Sequence, residues 1–246
     1  MTTAAACRPA GGQEGGKTPA PGWAVRVTAG PGTGFPGHRA CAGAPLSVPA
    51  PSLGSMDNDE ILRTHGEALA LFGSRVHAIR ADQWGAPTPC AQWSVRDLVN
   101  HLTAEQLWVP RLVRDGATVA EVGAEYDGDL LGEDPAGVWD RAAVAAVAAF
   151  TERGALDRTV RLSYGPGPAG AYCTQMTADA VVHAWDLSRA IGAEERLPGH
   201  LARAALREVE PYAAGLGASG LFAPAVEPPA DADDLTRLLC LLGRRP

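Results

Sequence analysis

Trp93-Ser94-Val95-Arg96-Asp97-Leu98-Val99-Asn100-His101-Leu102 reads as the opening of a helix. Ser94 is placed to accept from the backbone N–H of Asp97, Asp97 to reciprocate as a shorter version of the capping-box Glu, and Trp93 to staple onto Leu98. Beyond that start, Leu98, His101, Glu105, Trp108 and Leu112 recur at spacings of 3, 4, 3 and 4, one face of a helix, with Pro110 expected to kink its last turns. Two ionisable residues, His101 and Glu105, therefore share the apolar stripe. Side chains of that kind need partners from facing elements, and the remainder of the chain supplies helices.

Upstream, Leu62, Leu69, Phe72, Val76 and Ile79 recur at spacings of 7, 3, 4 and 3, which predicts a first helix over residues 57 to 80. Pro87 and Pro89 then push their predecessors towards extended conformations, so a loop leads into Trp93. Downstream, Asp134-Pro135 is an N-cap and first-turn pair opening an alanine-rich third helix over residues 136 to 150. Residues 159 to 164 alternate as a short strand ending in a Gly165-Pro166-Gly167-Pro168 turn, at most a small hairpin. A fourth long helix is expected from residue 174 to 191, with Met176, Asp179, His183, Leu187 and Ala190 on its inward stripe and Gly192 as its stop. Residues 201 to 213 and 235 to 242 complete the inventory, the latter following the acidic cap Asp231-Ala232-Asp233-Asp234. The expected fold is all-α: an up-and-down four-helix bundle over residues 56–192, with residues 193–246 as a short helical extension packed on it. In such a bundle facing helices assemble metal or cofactor sites in the core.

Residues 1–55 stand apart. They hold 11 of the 29 Gly and 8 of the 20 Pro, with Glu14 their one acidic residue, so the segment is +3 and the remainder −10. A stretch of this composition buries too little apolar surface to offset its ordering entropy, and it lacks the pattern of a signal peptide. It is expected to be disordered, with Met56 as the true start and a regulatory tail as the alternative. Across the whole chain 21 basic residues face 28 acidic ones, a net charge of −7, which argues against nucleic acid as a partner. The longest run free of polar residues, 142 to 150, is too short to span a bilayer. Cys7, Cys41, Cys90, Cys173 and Cys240 show no paired spacing, as expected of reduced thiols in a cytoplasmic protein, and a structural zinc–cysteine cluster is excluded.

The chemistry concentrates on two helices. Asp179 and His183 are four apart and share one face, a spacing that suits two ligands of one metal, with His101 as the donor from the second helix. Two histidines and a carboxylate are a common zinc set with a fourth position open to water or substrate. A buried Asp–His ion pair with no metal is the competing reading, because a buried carboxylate needs a cation or a protonated imidazole beside it. Glu105 is a rival ligand or a general base. Asp186, three after His183, is either a carboxylate that orients the imidazole or an ordinary exposed helix charge. His65 could approach from the first helix, while His38, His77 and His200 read as solvated. The glycines of residues 165 to 170 lack the Lys-Ser/Thr of a phosphate loop, and no GxSxG is present.

Two segments carry a family resemblance. Pro87-Thr88-Pro89-Cys90-Ala91-Gln92, continued by the residues quoted above to Leu102, closely resembles the signature of actinobacterial proteins related to mycothiol-dependent maleylpyruvate isomerase, in the DinB-like bundle superfamily. Ala178-Asp179-Ala180-Val181-Val182-His183-Ala184-Trp185-Asp186-Leu187 resembles its second motif. The ending, from Asp231-Ala232-Asp233 through Leu238-Leu239 to Leu242-Gly243-Arg244, resembles that of an uncharacterised branch. The resemblance runs from about residue 57 to 246 and implies a divalent metal, usually zinc, held by His101, Asp179 and His183, with Asp standing where the isomerase has Glu. It departs at the end: about 55 residues follow the fourth helix, where the isomerase has a larger second domain, which argues against maleylpyruvate itself as substrate.

The resemblance implies a thiol-dependent, mycothiol-type transferase or isomerase acting on a small electrophile. Glu105 and Asp186 are the candidates for moving the proton. The alternative is a non-catalytic metal-binding or stress-response protein of the same fold. A monomer or homodimer is expected, with a small thiol and an electrophilic substrate as partners, and neither nucleic acid nor membrane.

Overall fold

A computed structural model describes residues 57–91, 93–213 and 223–246. The expected disorder of residues 1–55 and the start at Met56 lie outside the described residues, as does His38. The protein is mostly helical. Helix α1 spans Asn58–Val76, where Asp57 caps the first turn by accepting from Glu60 N. Helix α2 spans Val95–Val109, and both capping-box bonds are made: Ser94 N donates to Asp97 Oδ2 (2.9 Å) and Asp97 N to Ser94 Oγ (3.2 Å). Pro110 does not end the rod. The chain widens there into a π-helical turn, Pro110–Arg114, which accommodates a residue with no N–H to donate. A one-turn helix that the apolar pattern does not reveal, α3 (Val119–Val122), is opened by a second capping box between Thr118 and Glu121.

Helix α4 covers Pro135–Thr151 and α5 covers Ala169–Ile191. Gly192, at φ +69°, ends α5 in the left-handed conformation that a helix stop requires. Two expectations are corrected between α4 and α5. Gly165–Pro168 is a strand, β2, rather than a turn, and it pairs antiparallel with β1 (Thr159–Leu162) through a bend at Ser163-Tyr164. Prolines fit there because β2 has one neighbour, so the side of Pro166 and Pro168 that cannot donate faces no ladder. In consequence α5 begins at Ala169, five residues before the expected 174, anchored by Ala169 N donating to Arg158 O (2.8 Å). The C-terminal helices are α6 (Gly199–Val209), which stops short of the expected 213 because Pro211 falls in a 3-10 turn, and α7 (Asp234–Leu241), capped by Asp233.

The four long helices meet pairwise, α1 with α4 and α5, and α2 with α4 and α5; α6 packs on α5 and α7 on α6. Phe72 and Trp139 meet where α1 packs on α4, their ring centroids 4.7 Å apart and their planes tilted by 57°. The buried apolar side chains form two groups. One surrounds Phe72, Leu98, Leu102, Trp185, Leu206 and Leu239; the other surrounds Trp108, Phe150, Leu156, Tyr172 and Met176. No helix among the described residues is long and apolar enough to cross a membrane.

Candidate functional site

The stripe that the sequence turns inward on α2 faces the corresponding stripe of α5. His101 Nε2 lies 3.5 Å from Asp179 Oδ2, and His183 Nε2 lies 3.4 Å from Asp179 Oδ1. The two imidazole rings are nearly perpendicular, with centroids 5.4 Å apart, so one ligand atom from each of the three residues falls within 4.8 Å of the others. Asp179 and His183 are buried, while His101 keeps 19% of its side chain exposed and opens the group to solvent. Trp93, half-buried, forms a wall against both imidazoles, its ring 4.8 Å from that of His101 and 6.0 Å from that of His183.

These separations bear on whether a cation belongs there. A charge-assisted N–H···O⁻ bond settles at about 2.7–2.9 Å, and both contacts to Asp179 are longer. Ligands about 2.0–2.1 Å from a tetrahedral centre stand roughly 3.3–3.5 Å from one another; each imidazole stands at that distance from one of the two Asp179 oxygens, and one ligand atom from each residue lies within 4.8 Å of the others. The donor types and their separation fit a divalent ion.

Behind the imidazole a second group forms. Asp186 is fully buried, and its Oδ2 accepts from His183 Nδ1 (2.9 Å) and from the Cys90 thiol (3.2 Å). Arg244, from the C-terminus, donates through Nε to Asp186 Oδ1 (3.2 Å) and through Nη2 to Oδ2 (2.8 Å), and lies 3.5 Å from Cys90 Sγ. Cys90, His183 and Asp186 also converge closely enough for metal ligands, yet the guanidinium already occupies the cationic place among them. This group supports His183 from behind.

The charges follow from the geometry. Burial opposes ionisation of Asp179, but the charge of His183 and the His101 and His183 imidazoles outweigh it and hold the carboxyl well below the usual range. Burial likewise opposes a charged His183, and the Asp179 carboxylate beside it prevails, raising the imidazole well above 6.5. For Asp186 burial is outweighed by the His183 hydrogen bond and by Arg244, and its pKa falls to about 2. Glu105 goes the other way: burial first, then the charge of Asp179, push its carboxyl well up. It is buried, its Oε1 has no hydrogen-bond partner among the described residues, and it is outside both convergent groups.

The remaining histidines separate from the site. His65 is a core residue, its Nδ1 3.1 Å from Thr177 Oγ1 and its ring edge-on to Phe150. His77 pairs with Asp140 on the surface, and His200, in the first turn of α6 rather than in a loop, pairs with Glu67. The site residues that sequence reasoning missed are Cys90, Trp93 as a wall, and Arg244. All three stand in the motifs quoted above, but nothing in local spacing assigns them a chemical part.

A mostly helical protein whose α2–α5 seam gathers two imidazoles and a carboxylate is the class that fold and site define. The chain belongs to the mycothiol maleylpyruvate isomerase N-terminal domain family, whose model matches residues 65–188. It is 32% identical over 190 residues to the uncharacterized proteins Rv0738 and MT0763 of two Mycobacterium tuberculosis strains, H37Rv and CDC 1551, covering 74% of this chain and 97% of each relative. In fold it is similar to a crystal structure of mycothiol-dependent maleylpyruvate isomerase carrying a histidine-to-alanine change, with a TM-score of 0.54 and 16% identity over 65% of this chain and 70% of that one. A second structure of that isomerase gives 0.51 and 15% over the same shares.

Proposed function

We propose that this chain is a helical-bundle enzyme that holds one divalent ion, zinc, through His101, Asp179 and His183, and uses it to activate a low-molecular-weight thiol of the mycothiol type towards a small electrophile. The observation that carries the reading is the convergence of one ligand atom each from His101, Asp179 and His183 within 4.8 Å, the two contacts to Asp179, 3.4 and 3.5 Å, being longer than a charge-assisted hydrogen bond usually is. Family membership supports the thiol. When bound, the ion supplies charge that deprotonates a coordinated thiol, which when free is only a few per cent thiolate at neutral pH.

The chain's own residues do the rest. Asp186 accepts from Nδ1 of His183 and so leaves Nε2 free to act as a ligand. Trp93 walls the two imidazoles and narrows the approach through the exposed edge of His101. Of the two candidates for moving the proton, Asp186 is occupied by Arg244, Cys90 and His183 and its pKa is lowered, whereas burial, then the charge of Asp179, raise that of Glu105 and favour its protonated, donating form. Glu105 is therefore the proposed proton donor and Asp186 an orienting residue.

The test is to titrate cobalt-substituted protein with mycothiol, cysteine and glutathione and follow the sulfur-to-metal charge-transfer band. Such a band with at least one thiol is the expected result. A metal-loaded protein that gives no band with any of them would overturn the thiol chemistry and favour the non-catalytic metal-binding reading.

A further inference from the structure

Arg244 is followed by two residues in the sequence and stands 58 residues from Asp186, yet its guanidinium is as buried as the site itself, with 10% of the side chain exposed. Its arrival there is built into the end of α7. Gly243 takes a left-handed φ of +76°, Gly243 N donates to Cys240 O (3.0 Å), and Arg244 N donates to Leu239 O (2.9 Å). That is a Schellman turn, which reverses the chain after the helix and aims the next side chain back across it. The glycine is required: a Cβ there would stand 2.6 Å from Ala223 Cβ and 2.7 Å from Ala223 O.

The turn delivers a planar fork to a planar carboxylate. Nε and Nη2 of Arg244 take one oxygen each of Asp186, the bidentate arrangement that fixes both partners in angle as well as distance. Nη1 is spent on Leu242 O, so the guanidinium is tied to its own turn as well. Asp186 in turn holds Nδ1 of His183 at 2.9 Å, on the ring edge opposite the Nε2 that faces Asp179. Cys90 closes the clasp from the loop before α2, its thiol donating to the same Oδ2 that Arg244 and His183 share. A carboxylate buried with one imidazole would be left with unspent charge and rotational freedom; a forked cation removes both.

We infer that Arg244 is a positioning residue of the metal centre: through Asp186 it sets the orientation of His183 and holds the proton on its Nδ1, so that the C-terminal extension is part of the site rather than only a cover over the helices. The inference rests on the proposed metal reading for its consequence, but its first link, from Arg244 to the His183 ring, holds in the metal-free protein and can be read there.

The experiment uses the full chain with Arg244→Ala, Arg244→Lys and, as a control on the extension alone, Arg203→Ala, which removes the 3.0 Å pair between Arg203 of α6 and Asp234 of α7. Two readouts are taken: the slowly exchanging Nδ1 proton of His183 by nuclear magnetic resonance in metal-free protein, and zinc affinity by competition with a chelator. Loss of an orienting partner typically costs about 10–100-fold in metal affinity. Arg244→Ala is expected to weaken zinc by about that factor and to lose the protected Nδ1 proton. Arg244→Lys, a point charge without the fork, is expected to recover only part of the affinity, and guanidinium added to Arg244→Ala below denaturing concentrations to recover most of it. Arg203→Ala is expected to lower thermal stability and leave both readouts unchanged. If Arg244→Ala keeps the protected proton, or if Arg203→Ala loses it equally, the inference is overturned. Failure of the unsubstituted chain to bind any metal would instead remove the proposed metal centre, and the Nδ1 proton would still decide the clasp.

Discussion

Three side chains at residue scale separate a ligand set from a collection of buried polar groups. Asp179 is shared by two imidazoles, His183 is shared by two carboxylates, and His101 is the most exposed of the three. Without a cation the Asp179 carboxylate outweighs burial at His183 and favours its protonated form. His65 shows the other fate of a buried histidine. Burial without a charged partner lowers its pKa from 6.5 to about 4, so the unfolded chain binds the extra proton between those values. Its neutral form is therefore favourable to folding above pH 6.5, and that contribution is lost as the pH falls towards 4, by up to about 3 kcal/mol. Urea unfolding at pH 7 and pH 4.5 should show a smaller acid loss in His65→Leu than in the unsubstituted chain. Equal losses in both would mean that His65 does not drive the acid sensitivity.

The site was legible at this scale only where sequence distance and spatial distance agree. Asp179 and His183 share one helical face by spacing alone, and His101 declares itself by standing on an apolar stripe. Asp186 was readable as an orienting carboxylate or as a surface charge, and its full burial beside His183 selects between them. The partnership of Cys90 with Arg244 bridges 154 residues, and no periodicity encodes a contact of that range.

At the scale of elements the strongest local signals were the caps. Ser94 and Asp97 start α2, Asp134 starts α4 and Gly192 ends α5, because each supplies a hydrogen bond or a backbone angle that few other residues can. The hairpin was half legible. Gly-Pro repeats signal a turn when read locally, and it is pairing with Thr159–Leu162 that makes a strand of them, a decision taken by the partner. Helix crossings were not legible at all, and Gly73 shows the reason. A Cβ on Gly73 would lie 2.9 Å from Nε1 of Trp139, a fully buried ring that cannot swing aside. Gly73→Ala would gain about 0.5–1 kcal/mol of helix propensity but cost about 1–3 kcal/mol in overpacking. It is thus expected to lower the melting temperature by several degrees, whereas Gly66→Ala, where a Cβ meets nothing within 4 Å, should not lower it. A rise in both would show that propensity outweighs the crossing. Removing the α2 cap with Ser94→Ala should cost about 1 kcal/mol, measurable as a shift in the urea midpoint.

At the scale of the whole molecule, the metal-site candidates come from two helices far apart in sequence, and what supports them comes from the loop before α2 and from the last residues of the chain. Residues 1–55 present no periodic apolar face in their sequence. Starting the chain at Met56 should therefore leave melting temperature and bound metal as in the full chain, and a large loss of either would show that the segment contributes to the fold.

Central to the proposed function is that His101, Asp179 and His183 hold one ion together. Metal content after purification and reloading, measured by mass spectrometry for the full chain and for His101→Ala, His183→Ala and His200→Ala, tests that claim. The expected result is about one divalent ion per chain in the unsubstituted protein and in His200→Ala, and little or none in the other two, because the remaining ligands cannot fill a zinc shell. Full occupancy in His101→Ala would contradict it.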